Sequence, residues 1–262
     1  MGASITGLMH AHFGPQWLLP LLVAPFVGSF LGLLIVRLPI GEGVVWGRSA
    51  CRGCNGRLGA RDLVPLLSWL WARGRCRYCG ARIGWFYPGI ELAALAVALW
   101  AAASTSGWVF WASCGLGWTL LALAAIDYRH LILPDALTLP LVPAGLAVAW
   151  LIDPAMLPHH MFGAVAGFVG FALVGWVYAR LRGREGLGLG DAKLLAAAGA
   201  WVSWTGLPSV VLLAGVVGLA GVLAAGAAGR GGGLGAERAI AFGPCLALAT
   251  WLVWLHGPIV LG

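Results

Sequence analysis

The stretch Gly188-Leu189-Gly190-Asp191-Ala192-Lys193-Leu194 brings a carboxylate to the mouth of a long apolar segment. An acid in that setting is costly to bury, and its presence points to a task. The two glycines before it let the backbone bend or pass close to another chain. A second acid, Asp127, closes the apolar run Trp108–Ile126 and is followed by Tyr128-Arg129-His130 and Leu133-Pro134-Asp135. Two acids at the ends of apolar segments point to a dyad.

Working outward, 61% of the chain is hydrophobic and only 10% is charged, a composition that belongs to integral membrane proteins. Apolar stretches recur at about Trp17–Val36, Gly89–Ala103, Trp108–Ile126, Ala136–Ile152, Met161–Tyr178, Ala192–Val202, Leu207–Ala228 and Phe242–Leu255, each bounded by charge, Pro or Gly. The fold expected is therefore an all-α polytopic membrane protein of about eight transmembrane helices. Its parts are a first helix in residues 1–38, a small cytoplasmic subdomain in 39–87 and a seven-helix membrane domain in 88–262. The start of the chain lacks a basic region before its apolar run, so the first helix reads as an uncleaved span.

The net charge of +7 is topological in this setting. With the N-terminus outside and the helices alternating in direction, all sixteen Lys and Arg residues fall on one side, which the positive-inside rule makes cytoplasmic. Asp127 and Asp191 then both lie at cytoplasmic helix ends. The cations are dispersed with no aromatic-rich basic platform, so nucleic acid is not an expected partner, whereas membrane lipid is. The Gly-rich stretch 226–235 reads as a flexible loop, and no internal repeat of the kind common in transporters is legible.

The polar segment 39–87 holds four of the six cysteines, as Cys51-Arg52-Gly53-Cys54 and Cys76-Arg77-Tyr78-Cys79. Two C-x-x-C pairs at this separation read as a four-thiolate zinc site. Zinc would stabilise a segment too short and polar to build its own core, and four thiolates close the coordination sphere, which makes the metal structural. Cys114 and Cys245 lie in apolar runs and read as packing residues.

Two buried carboxylates close together cannot both ionise cheaply, so they tend to share one proton. One can then take a proton from water as it attacks a peptide carbonyl while the other donates to the carbonyl oxygen. Plainer readings stand beside this one. Asp191 could cap the helix it begins, and Asp127 could pair with Arg129. Asp135, after Pro134, reads as a helix cap and Asp153 as a loop residue. Glu91 is a candidate functional acid or a group favouring a helix N-terminus, and Lys193 either tunes Asp191 or snorkels to the interface. The histidines are scattered, and the tryptophans near helix ends read as interfacial anchors.

Taken in order, these residues resemble the type IV prepilin peptidases, polytopic aspartic proteases of the bacterial inner membrane with a Gly-x-Gly-Asp motif. The resemblance begins at Gly28-Ser29-Phe30-Leu31 and Arg37-Leu38-Pro39. It continues through both cysteine pairs with Asp62-Leu63-Val64-Pro65-Leu66-Leu67-Ser68-Trp69 between them, then Tyr87-Pro88 and Glu91. Asp127 with Leu133-Pro134-Asp135 follows, then Gly188 to Leu194 and Phe242-Gly243-Pro244. It implies that Asp127 and Asp191 are the catalytic pair, with Gly188, Gly190, Lys193 and Glu91 in support. The substrates implied are prepilins or pseudopilins, cut after a glycine at the cytoplasmic face. Members of this long form often also methylate the new N-terminus with S-adenosylmethionine, although no fingerprint for that cofactor is legible here. The chain departs from the family pattern at Gly32, where Asn is common, and at Gly84-Trp85-Phe86, where a more polar stretch is usual. A proton-coupled transporter using Asp127 and Asp191 as relay acids is the alternative from a different class. A presenilin-like protease fits less well, because that group places its first acid in a Tyr-Asp pair and the order here is Ile126-Asp127-Tyr128.

Overall fold

The computed structural model describes residues 18–44, 50–51, 53–183, 187–227 and 241–259. Every regular element among them is helical, apart from two isolated antiparallel bridges, Ala50 with Arg57 and Arg75 with Arg82. The helices are α1 Leu18–Arg37, α2 Leu67–Trp71, α3 Phe86–Ser104, α4 Gly107–His130, α5 Asp135–Ile152, α6 Leu157–Arg182, α7 Leu189–Ala227 and α8 Gly243–His256.

Six of these, α1 and α3 to α7, are long and apolar enough to cross a membrane. A straight α7 of 39 residues would be about 58 Å long, nearly twice the roughly 30 Å hydrocarbon core of a bilayer. It breaks at Ser203, whose φ of 60° and ψ of 177° are non-helical. The Ser203 hydroxyl accepts the Thr205 N–H at 3.3 Å and so caps the second arm. With arms 189–202 and 204–227 counted separately, and α8 included, the described residues hold the eight apolar helical segments expected. The Gly-rich 226–235 stretch lies almost wholly outside the described residues.

The described residues up to Ala122 form one compact unit and those from Leu123 a second, with the division inside α4. In the first unit α1 lies along α3. A Cβ at Gly28 would stand 2.5 Å from the Glu91 Cα, and one at Gly32 would stand 2.9 Å from the Tyr87 ring. That second contact accounts for glycine at position 32: the space a larger side chain would need is taken by Tyr87. The Trp118 indole N–H donates to the Ala94 carbonyl at 2.9 Å.

In the second unit α7 is the central element, with α5, α6 and α8 packed on it. Its crossing with α6 is made by glycine. A Cβ on Gly199 would fall 2.2 Å from the Gly163 carbonyl oxygen, and one on Gly167 would fall 2.6 Å from that of Leu195. Small residues four apart let helix backbones touch in this way, which supplies the packing attraction that water-driven burial does not provide inside a bilayer. On the α5 side, Gly145 makes room for Trp201, whose indole N–H donates to the Leu141 carbonyl at 2.9 Å.

One local expectation, that for Asp135, is corrected. α4 continues to His130 and holds Asp127 in its last turn, at the helix end; the helix closes where the Leu131 N–H reaches the Asp127 carbonyl with Leu131 at a φ of 55°. Asp135 makes no side-chain cap at the start of α5 and instead forms an ion pair. Asp153 lies in the connection after α5, as a loop residue, and its carboxylate accepts the Ala155 N–H at 3.0 Å over the turn Pro154–Met156.

Candidate active site

Asp127 is buried at the end of α4. Its Oδ2 accepts the backbone N–H of Gly243 at 2.9 Å. Gly243 is the first residue of α8, so this amide is one of the donors a helix leaves unpaired at its N-terminus, where the helix dipole also favours a negative group. Pro244 behind it is preorganised for a first helical turn. Glycine is needed at 243 for steric reasons, because a Cβ there would sit 2.7 Å from Oδ2 and 2.9 Å from Cγ of Asp127. The carboxylate therefore turns to the α8 amide. The motif Phe242-Gly243-Pro244 does not by itself mark Gly243 as a site residue. The signal available for it was Gly-Pro at the mouth of an apolar run.

Asp191 sits half-buried in the first turn of α7, close enough for its charge to interact with that of Asp127. Two packing features hold these helix ends together. Gly190 lies against the connection between α4 and α5, where an added Cβ would be 3.1 Å from the Leu133 Cβ. Lys193, one residue pair further along α7, donates to both carboxylate oxygens of Asp135 at 2.7 and 2.8 Å. Lys193 is thus directed to Asp135. Of the two glycines before Asp191, Gly190 serves close approach. Gly188 is less constrained, because a Cβ there would be in ordinary contact, 3.7 Å from the Asp191 Oδ2. Cys245, two residues into α8 from Gly243, also lies within reach of the charge on Asp127.

Glu91 belongs to the first unit and is buried there. It accepts the Leu66 N–H at 2.8 Å, with the Ser29 side chain as a further partner. Leu66 has a φ of 61° and a ψ of −51°, and around it the Leu67 N–H reaches back to the Pro65 carbonyl at 2.6 Å. This is a tight γ-turn, a strained conformation for leucine that needs a fixed partner. Glu91 supplies one, fastening the cysteine-bearing segment to α3.

The thiols of Cys51, Cys54, Cys76 and Cys79 all lie within 4.8 Å of one another, with Cys51 and Cys79 at 3.8 Å. Zinc–sulfur bonds of about 2.3 Å in a tetrahedron place sulfurs about 3.8 Å apart, so the donor set fits a four-thiolate metal. The two pairs are built alike. In each, the first cysteine N–H bonds to the carbonyl five residues on (Gly56, Ala81), and the residue four on (Asn55, Gly80) returns its N–H to the cysteine carbonyl with a positive φ. The Gly53 and Cys54 amides hold the Cys51 thiol down at about 6. Cys79 stands the other way, pushed up to about 12: the Ala81 amide pulls it down, but its neighbouring thiols, Cys54 foremost, outweigh that. Four thiols this close cannot all give up their protons without a cation among them.

Residues 22–105 match the family model for the bacterial peptidase A24 N-terminal domain, and residues 114–223 match that for the type IV leader peptidase family. The prepilin leader peptidase/N-methyltransferase of Dickeya chrysanthemi is 38% identical over an alignment of 266 positions that covers 90% of this chain and 92% of that protein. The protein of the same name from Aeromonas hydrophila is 39% identical over 95% of each chain. That of Burkholderia pseudomallei strain 1026b is 41% identical over 89% of this chain and 83% of its own. No solved structure matches. The first model spans the four cysteines and Glu91, and the second spans Asp127 and Asp191, while the identity runs through nearly the whole of each relative. The chain belongs to the type IV leader peptidase family, and it is a multi-pass membrane protein.

Proposed function

We propose that this protein removes the leader peptide from type IV prepilins or pseudopilins at the cytoplasmic face of the bacterial inner membrane and then methylates the new N-terminal amine. The observation that carries the proteolytic half is the arrangement of Asp127 and Asp191, two acids on separate helix ends that the Gly190–Leu133 contact and the Lys193–Asp135 pair hold together, one of them bound by the Gly243 amide. In this reading the dyad shares one proton. One carboxylate takes a proton from water as the oxygen attacks the scissile carbonyl, and the other donates its proton to the carbonyl oxygen. Collapse of the tetrahedral intermediate breaks the C–N bond, and the amine leaves with a proton returned from the dyad. Substrate pilins would bring an apolar N-terminal helix among the spans and leave their basic leader in the cytoplasm.

In this assignment residues 39–87 form the metal-holding subdomain, with Cys51, Cys54, Cys76 and Cys79 as ligands of a structural zinc. Residues 88–262 form the membrane domain that carries the dyad. Zinc would supply cross-linking of the two cysteine turns and no reaction step. The methyl transfer rests on the names of the relatives, and no residue of this chain is assigned to S-adenosylmethionine.

The test is cleavage of a prepilin-like substrate in liposomes by the parent, Asp127→Asn and Asp191→Asn proteins, with S-adenosylmethionine present and the product N-terminus weighed. Each variant should lose about 10²-fold or more in rate, the scale of general acid–base catalysis. The parent product should be heavier by one methyl group. Normal cleavage by either variant would overturn the dyad, and a parent that never cuts would overturn the protease reading.

A further inference from the structure

The segment between the cysteine pairs carries an apolar surface that the catalytic reading does not use. In α2, residues Leu67, Leu70 and Trp71 share one face by their three- and four-residue spacing, and they are 48%, 64% and 70% exposed. The opposite face carries Trp69, whose ring packs on Trp85 with centroids 4.2 Å apart and whose N–H donates to the Ile83 carbonyl at 3.1 Å. Trp85 is itself 71% exposed and immediately precedes α3, a membrane-crossing helix. The tilted ring contact therefore holds α2 beside the start of α3.

The charge around it is one-sided. Within the described residues of 50–83, Arg57, Arg61, Arg73, Arg75, Arg77 and Arg82 are exposed, against the single acid Asp62, which is engaged by Arg77 at 3.4 Å. A short helix with leucine and tryptophan on its exposed face, flanked in sequence by exposed arginines and held against the start of a candidate span, has the composition of an element that lies in a bilayer surface.

We propose that α2 is an interfacial anchor, with Leu67, Leu70, Trp71 and Trp85 seated in the headgroup–acyl boundary of the bilayer that α3 crosses and the neighbouring arginines on anionic lipid headgroups. The anchor sets the height and orientation of the cysteine turns above the membrane. It rests on the membrane reading of α3 and is independent of the dyad.

The experiment uses the full chain in liposomes containing a photoreactive lipid with its reactive group at headgroup depth, in a phosphatidylglycerol and a phosphatidylcholine form, with labelled peptides mapped by mass spectrometry. A second probe with its group at mid-acyl depth should label α3 and certifies the membrane placement. The headgroup probe should label residues 63–73 and 85, at least threefold more strongly in the phosphatidylglycerol form. A Leu67→Ser/Leu70→Ser/Trp71→Ser protein with unchanged bound metal and helical spectrum should lose at least fivefold of that labelling. If α3 is labelled and α2 is not, the face is aqueous and the proposal fails. It fails equally if α2 cross-links to a prepilin-like peptide and not to lipid, which would make the face a substrate surface.

Discussion

At the scale of single residues, two contacts decide how the acids are held. Gly243 is the more exacting. An Ala side chain there would lie 2.7 Å from the Asp127 Oδ2, so Gly243→Ala should push the carboxylate off the α8 amide while leaving the helices in place. The expected outcome is a loss of cleavage of about 10²-fold, the cost of misplacing a reacting group by about 1 Å. Circular dichroism should be unchanged, and activity at parent level would show that the Gly243 contact is dispensable. Glu91 is held by different chemistry. Glu91→Ala leaves the part-buried Leu66 N–H without its acceptor, a cost of about 1 kcal/mol, whereas Glu91→Gln keeps an oxygen in place. Amide exchange around Pro65–Leu67 should rise in the alanine protein and stay near the parent in the glutamine one; equal exchange in both would refute the anchoring role. By contrast, the Lys193–Asp135 pair is only partly buried, at 29% and 55% side-chain exposure, so its contribution to stability is at most about 1 kcal/mol.

At the scale of elements, the cysteine segment buries few of its side chains. Its two turns are short, exposed and joined by thiols rather than by a shared core. Cys76→Ser should therefore abolish bound metal, read as zinc per chain by atomic absorption, and raise amide exchange across 50–83 while leaving that of α5 to α8 unchanged. Retention of one zinc per chain would dismiss the four-cysteine site. The kink in α7 belongs to the same scale. Length and a Ser/Thr/Pro cluster make a break there legible, since a helix of that length cannot fit one crossing. It falls on Ser203, at a positive φ, where α6 passes closest: a Cβ on Gly163 would meet the Trp204 amide nitrogen and the Ser203 carbonyl carbon at 2.7 and 2.8 Å.

At the scale of the whole molecule, the siting of charge predicts an orientation, and a reporter experiment tests it. Alkaline phosphatase fused after Thr105 or Pro158 should be active, and fused after Arg82 or Arg129 inactive. Activity after Arg129 would place Asp127 on the outer face and overturn the cytoplasmic assignment. The number and order of helices, the cysteine pairs and the two candidate acids were all legible without coordinates, because each depends on local composition: apolar runs of bilayer length, thiols at ligand spacing, and acids where acids are costly. What the tertiary structure alone decided is which groups meet. The Asp127 carboxylate turns to an amide 116 positions away, Lys193 reaches Asp135 across 58 positions, and Glu91 clasps a turn 25 residues before it. Such pairings are set by how glycine-lined helices cross, and crossing geometry arises from side-chain volumes on two helices at once, which neither segment encodes by itself.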